Sequence, residues 1–238
     1  DIPGNAITRV DFSTDSGLLA ILNGNRAQII DAASGEILAG FELGENHSAI
    51  AFSSNDSVYV GGDSGSLRII KRDNSGSWSM QTVWQGASPL RWLEASPRGD
   101  YLVVVDADNR ASQFHLQDGK HGEMVLQLPS PVTEVRFSPG GSRVMFRTSR
   151  WVHRASSSAA GLHWLKTAYG PGALPGSRIV FGDSQDAQGR TAFVPVADAR
   201  FIRLAELAFG PSESAGLFGS RDDLLDEWNT RLGAVPAD

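Results

Sequence analysis

The chain lacks cysteine altogether, has no apolar run of membrane-spanning length, and carries fewer cations than acids. The absence of cysteine removes disulfides, cysteine-ligated zinc and a thiol nucleophile, and it suits a reducing cytoplasm and a bacterial periplasm equally. Without an apolar stretch of roughly twenty residues no membrane span is expected, and no signal peptide is visible. The chain opens on Asp1 and enters regular structure almost at once, so it is read as a piece of a longer protein, with any membrane contact made only through segments outside it. Lys and Arg number 21 against 27 Asp and Glu, a net charge of −6, which argues against a general polyanion binder, so no nucleic-acid partner is expected. The five histidines, at 47, 115, 121, 153 and 163, form no pair at helical spacing, and neither a metal nor a cofactor is expected.

Present instead are 26 glycines and a 41% hydrophobic content in short alternating runs, enough for one all-β core. Ile7 to Phe41 sets the pattern. Ile7, Val10 and Phe12 form a short apolar run, Thr14-Asp15-Ser16-Gly17 a turn, Leu18 to Leu22 a buried strand, and Asn23-Gly24-Asn25 a hairpin signal. Ala27 to Ile30 and Ile37 to Phe41 supply two more strands around the turn at Asp31 to Glu36. The unit recurs. Phe12-Ser13, Phe52-Ser53, Ala95-Ser96 and Phe137-Ser138 fall about forty residues apart, with inner hairpins at Asp63-Ser64-Gly65 and Asp108-Asn109 in the middle copies.

These repeats resemble divergent, bacterial-type WD40 β-propeller repeats. The matching residues are the Phe-Ser turns at Phe12, Phe52 and Phe137, the turn at Asp31, and the Gly62-Asp63-Ser64-Gly65-Ser66-Leu67-Arg68-Ile69 run. The Trp-Asp dipeptide that names the family is replaced by Ile30-Asp31, Ile70-Lys71 and His115-Leu116. The resemblance implies an all-β propeller of four-stranded antiparallel blades over residues 1–207. Its clear blades lie at about 6–47, 48–87, 88–129 and 130–168, and an irregular fifth at about 169–207. The fourth blade is given a long small-residue turn at Ala155 to Gly161, and the fifth takes strands from Arg178 to Phe181, Arg190 to Val196 and Phe201 to Leu207. Five blades form either a compact ring or part of a larger one. In the tail, 208–238, the period changes to that of an amphipathic helix over about 221–232, with Leu224, Leu225, Trp228 and Leu232 on one face, packing on the propeller or docking a partner.

Gly62-Asp63-Ser64-Gly65 imitates a serine-protease nucleophile loop, but it falls where each repeat turns, so a hairpin is expected. Asp106-Ala107-Asp108-Asn109 begins like a calcium loop, yet Ala111 and Gln117 occupy positions that need Gly and Glu. Charge is distributed unevenly. Arg136, Arg143, Arg147, Arg150, Arg154 and Lys166 face Glu134 alone between Val132 and Ala168, with Trp151, His153, His163 and Trp164 interleaved. Arg147, Arg150, Trp151, His153, Arg154 and Lys166 are therefore the candidate partner-binding residues, with Arg150 and Arg154 on one strand face and Trp151 and His153 on the other.

No nucleophile, acid–base pair or metal set converges, so the expected function is non-catalytic: a protein-interaction or scaffolding module within a larger protein, holding a protein or peptide. The alternatives are an extracytoplasmic sensing or regulatory propeller of a membrane protein such as a transporter permease, and a five-bladed sugar-binding ring. Against the latter, no aromatic-polar pocket repeats from unit to unit.

Overall fold

The computed structural model describes residues 7–117, 125–138, 140–148 and 151–169, and the strands Val180–Phe181, Ala192–Pro195 and Phe201–Arg203. Of residue 151 and of those from 164 onward only the backbone is described. The described chain is all-β, with four consecutive four-stranded antiparallel sheets, each in simple chain order. The first comprises β1 (Arg9–Phe12), β2 (Leu18–Asn23), β3 (Arg26–Asp31) and β4 (Ile37–Glu42). The second is β5 (His47–Ser54), β6 (Ser57–Gly62), β7 (Ser66–Arg72) and β8 (Trp78–Gln85). The third is β9 (Leu90–Ala95), β10 (Tyr101–Asp106), β11 (Arg110–His115) and β12 (Leu126–Gln127). The fourth is β13 (Val132–Phe137), β14 (Arg143–Thr148), β15 (Trp151–Ser158) and β16 (Gly161–Tyr169). Beyond it, β17 (Val180–Phe181), β18 (Ala192–Pro195) and β19 (Phe201–Arg203) make a three-stranded antiparallel sheet.

Strand alternation places the core between the sheets. In the second sheet, Ile50, Phe52, Val58, Val60 and Ile70 pack against Ala20, Leu22, Ala27 and Ile29 of the first. The intervening Ala49, Ala51, Tyr59, Leu67 and Ile69 pack against Leu90, Leu93, Leu102, Val104 and Phe114 of the third. Val103 and Val105, on the opposite face of β10, meet Val135, Phe137, Val144 and Phe146 of the fourth. A period of two therefore feeds two separate cores from one strand, which explains near-continuous apolar runs such as Leu102 to Val105. The contact between the second and third sheets is close: a Cβ added at Gly61 would stand 2.8 Å from that of Leu90, so glycine is required there.

Among the described residues, one face of the first sheet is only partly covered. Register places Phe12 opposite Leu19, Val10 opposite Ile21 and Ile30 opposite Ile37, all on the face turned away from the second sheet. On that face Val10, Phe12 and Ile37 are each at least half exposed.

The repeated Phe-Ser or Ala-Ser step has a physical cause. Ser13, Ser96 and Ser138 are buried, and each hydroxyl accepts a backbone N–H from the residue five positions on: Leu18 at 2.9 Å, Tyr101 at 3.0 Å and Arg143 at 3.2 Å. Their carbonyls accept from Ser16, Gly99 and Gly141, which sit at φ of 62°, 69° and 73°. The hydroxyl satisfies a donor at a turn that the sheets bury, and the left-handed residue lets the chain reverse. Ser138→Ala is expected to lower the unfolding free energy by about 1–2 kcal/mol, whereas exposed Ser54→Ala should change it by less than about 0.5 kcal/mol. Urea midpoints of the two variants check this.

One expected turn is a strand. Ala155 to Ser158 pair with Trp164, His163, Leu162 and Gly161, so β15 runs on to Ser158 and the reversal lies at 159–160. Buried Ala155 and Ser157 are small because the third sheet packs over them; Gln113 accepts from the Ser157 hydroxyl at 2.7 Å and its amide donates to the Ser158 carbonyl at 2.7 Å. The helix expected over 221–232, with Leu224, Leu225, Trp228 and Leu232, lies outside the described residues.

Candidate functional site

The first strands of the four sheets, β1, β5, β9 and β13, pack side by side in succession. Hydrogen bonds stitch each junction. The Phe52 N–H donates to Asp11 Oδ2 at 2.7 Å, the Ser48 hydroxyl to the Leu90 carbonyl at 2.8 Å, and the Trp92 indole N–H to the Val132 carbonyl at 2.9 Å. The first and third sheets also meet beside the space between these strands. The Arg9 guanidinium of the first sheet lies 4.5 Å from the centre of the Trp92 ring of the third, with the second sheet between them in the chain.

On the same strands the residue preceding each turn Phe or Ala brings charge together: Asp11 from β1, Glu94 from β9 and Arg136 from β13, with Ala51 the uncharged member from β5. Arg136 reaches Glu94 Oε1 at 3.5 Å and Glu134 Oε1 at 3.3 Å. Glu134 lies directly across the strand pair from Arg147, whose Nη1 stands 3.8 Å from Oε2. Crowding by protein atoms, with repulsion from Asp11 and Glu134 added, pushes the Glu94 carboxyl up to about 7 against the attraction of Arg136. Its side chain nonetheless keeps 23% of its surface in contact with solvent. Burial likewise raises Asp11, opposed by the N–H groups of Phe52 and Phe12 and by the charge of Arg136. The cluster is a shared ion network that ties the first, third and fourth sheets together.

At one end of the space, beside Arg9 and Trp92, opens a depression of about 520 Å³ whose wall includes Ser48, Arg91, Asp106, Asn109 and Val132. Its groups are held in place. The Arg9 Nε donates to the Ser48 carbonyl at 3.2 Å and Arg91 Nη1 pairs with Asp63 at 3.1 Å. Asp106 Oδ1 accepts the Arg110 N–H at 2.9 Å, closing a turn in which Asn109 sits at a φ of 62°. The wall offers guanidinium, indole, hydroxyl and amide groups around a space large enough for a side chain or a short stretch of peptide.

Of the six residues singled out from the basic stretch, the side chains of Arg147, His153 and Arg154 are described. Arg147 is 6% exposed and paired with Glu134, and His153 is 2% exposed, opposite fully buried Phe146, with burial making its ring less basic. Neither is within reach of a partner docking on the outside. The charges are adjacent in the chain, but β14 and β15 alternate faces and bury Arg147 and His153. Arg154 is half-buried, its guanidinium made less basic by burial and by Arg143. It stands opposite Lys166 in register, and Trp151 opposite Tyr169. Arg150 lies outside the described residues, as do the side chains of Trp151 and Lys166.

The imitation nucleophile is a hairpin. The Ser64 hydroxyl donates to Glu45 Oε1 at 2.8 Å, and Glu45 also accepts from the Ser64 N–H and the Ser66 hydroxyl, so the serine faces a carboxylate and not an imidazole. The hydrogen bonds of these hydroxyls hold the Glu45 carboxyl below its ordinary range despite partial burial. The Asp106 stretch is the turn described above. Among the described residues no three His, Asp or Glu side chains are placed to hold a metal, and no helix is long and apolar enough to cross a membrane.

No protein-family model matches the chain, and no curated protein is similar to it at a significant level.

Proposed function

We propose that the chain is a WD40-like β-propeller and works as a non-catalytic interaction or scaffolding module of a larger protein, holding a peptide or protein partner at the mouth of the space between its inner strands. In this reading the four described sheets are blades, and β17 to β19 belong to a fifth. The half-exposed apolar face of the first sheet is then the place where a ring closes, since every other described sheet-to-sheet junction is filled by such residues. The observation that carries the proposal is the contact of Arg9 with Trp92 beside an open depression. Groups from four sheets converge there on a wall that no single repeat could build.

The test is selection of a random peptide library on the purified chain, followed by titration of the enriched sequence against wild type and Trp92→Ala, with circular dichroism confirming that the variant is folded. An enriched sequence that loses at least tenfold in affinity on Trp92→Ala is expected, because aromatic anchors dominate such contacts. Failure to enrich any sequence, or binding indifferent to Trp92, would contradict the proposal.

A further inference from the structure

We infer that Arg9 is an anion anchor, so that the mouth of the inner space takes a peptide ligand through a carboxylate or phosphoryl group; this rests on the interaction-module reading. The argument starts from how the guanidinium is spent. Its face lies 4.5 Å from the centre of the Trp92 ring, and stacking of this kind leaves the in-plane N–H groups unused. One of these, on Nε, donates to the Ser48 carbonyl at 3.2 Å, which fixes the plane of the fork. The ring beneath is itself fixed by the bond from its N–H to the Val132 carbonyl. Arg9 lines the 520 Å³ depression, and neither of its terminal nitrogens has a carboxylate partner among the described residues.

Of the other charged groups on the wall, one is ion-paired and one is a carboxylate that keeps its charge while accepting a backbone hydrogen bond. Arg91 is paired with Asp63 at 3.1 Å, and the Asp106 carboxylate takes the backbone N–H of Arg110. Arg9 is a wall cation outside any described ion pair, exposed and presenting a planar pair of donors. That geometry matches two oxygens of one oxyanion, for which an arginine fork is better suited than a lysine. A neutral ligand would leave those donors unused. Wall residues Ser48 and Asn109 add polar groups near the same opening.

The experiment follows the Arg9 Nε–H and Trp92 Nε1–H resonances by heteronuclear NMR while sodium phosphate, and separately sodium acetate, is added at constant ionic strength, with sodium chloride as control. Saturable shifts of both resonances with phosphate or acetate are expected, weakened at least tenfold in Arg9→Gln and partly retained in Arg9→Lys. Saturation with phosphate alone assigns a phosphoryl ligand; saturation with acetate also assigns a carboxylate. Shifts no different from those with chloride, or saturable shifts unchanged in Arg9→Gln, would overturn the inference. The two proposals fail separately: a selected peptide with no acidic group that still needs Trp92 would leave the module standing and remove the anion anchor.

Discussion

Phe146→Ala is expected to lower the unfolding free energy by about 3–5 kcal/mol, the largest single effect in the described part of the chain. Phe146 is fully buried on β14 and belongs to the cluster that joins the third and fourth sheets, with Val103, Val105, Leu126, Val135 and Leu162. Truncation removes the transfer free energy of the ring and leaves a cavity that strands held by their ladders can only partly close. The total stability of a domain of this size is on the order of 5–15 kcal/mol, so the variant should approach the limit of folding at 37 °C. Phe12→Ala makes the comparison. Phe12 is 53% exposed on the partly covered face of the first sheet, and its loss should cost less than about 1 kcal/mol. Urea unfolding of the two variants checks the contrast; equal losses would mean that the sheets do not pack as described.

The second large effect is one of pH. The Glu94 carboxyl is raised from about 4.5 to about 7 in the folded chain. Between those values the folded protein holds a proton that the unfolded chain has released, so stability from this group is fully present at low pH and drains away as pH rises through the window. The loss is on the order of 1–3 kcal/mol between pH 5 and pH 8. His47 and His153 act in the opposite sense, because burial depresses both and stability from them grows as pH rises toward 6.5. The raw pH profile therefore mixes the two. The difference between wild type and Glu94→Gln isolates the carboxyl: the glutamine variant should gain on wild type by that amount from pH 5 to pH 8. A difference that does not change with pH would show that the carboxyl titrates as it does in the unfolded chain.

How far the sequence can be read depends on whether a feature repeats. The strands and hairpins were legible because hairpin signals such as Asn23-Gly24-Asn25, the Ser turns and the apolar alternation act locally, and the strand-and-turn unit recurs about every forty residues. The site was not legible by proximity in the chain. Arg147, Arg150 and Arg154 drew attention as neighbours, yet register set Arg147 against Glu134 inside the fourth sheet. Arg9 and Trp92 stand far apart in sequence and carry no motif. The signal that could have joined them was the column of the repeat: both lie three residues before the turn Phe or Ala, just as Asp11, Ala51, Glu94 and Arg136 lie one residue before it. Residues in one column occupy one level of the converging strands, so a column mixing acids with an arginine marks a network that no single repeat displays. The small residues at Ala155 to Ser158 misled for the converse reason. Small side chains suggest a turn when read locally, whereas here they make room for the neighbouring sheet.

The convergence of the inner strands, on which the fold reading and both proposals depend, is tested most directly by one nuclear Overhauser measurement on the uniformly labelled chain. Cross-peaks between the Arg9 δ-protons and the Trp92 indole ring protons are expected, since the guanidinium lies 4.5 Å from the ring centre. Their absence, with both residues assigned and ordered, would contradict the meeting of the first and third sheets beside a common space.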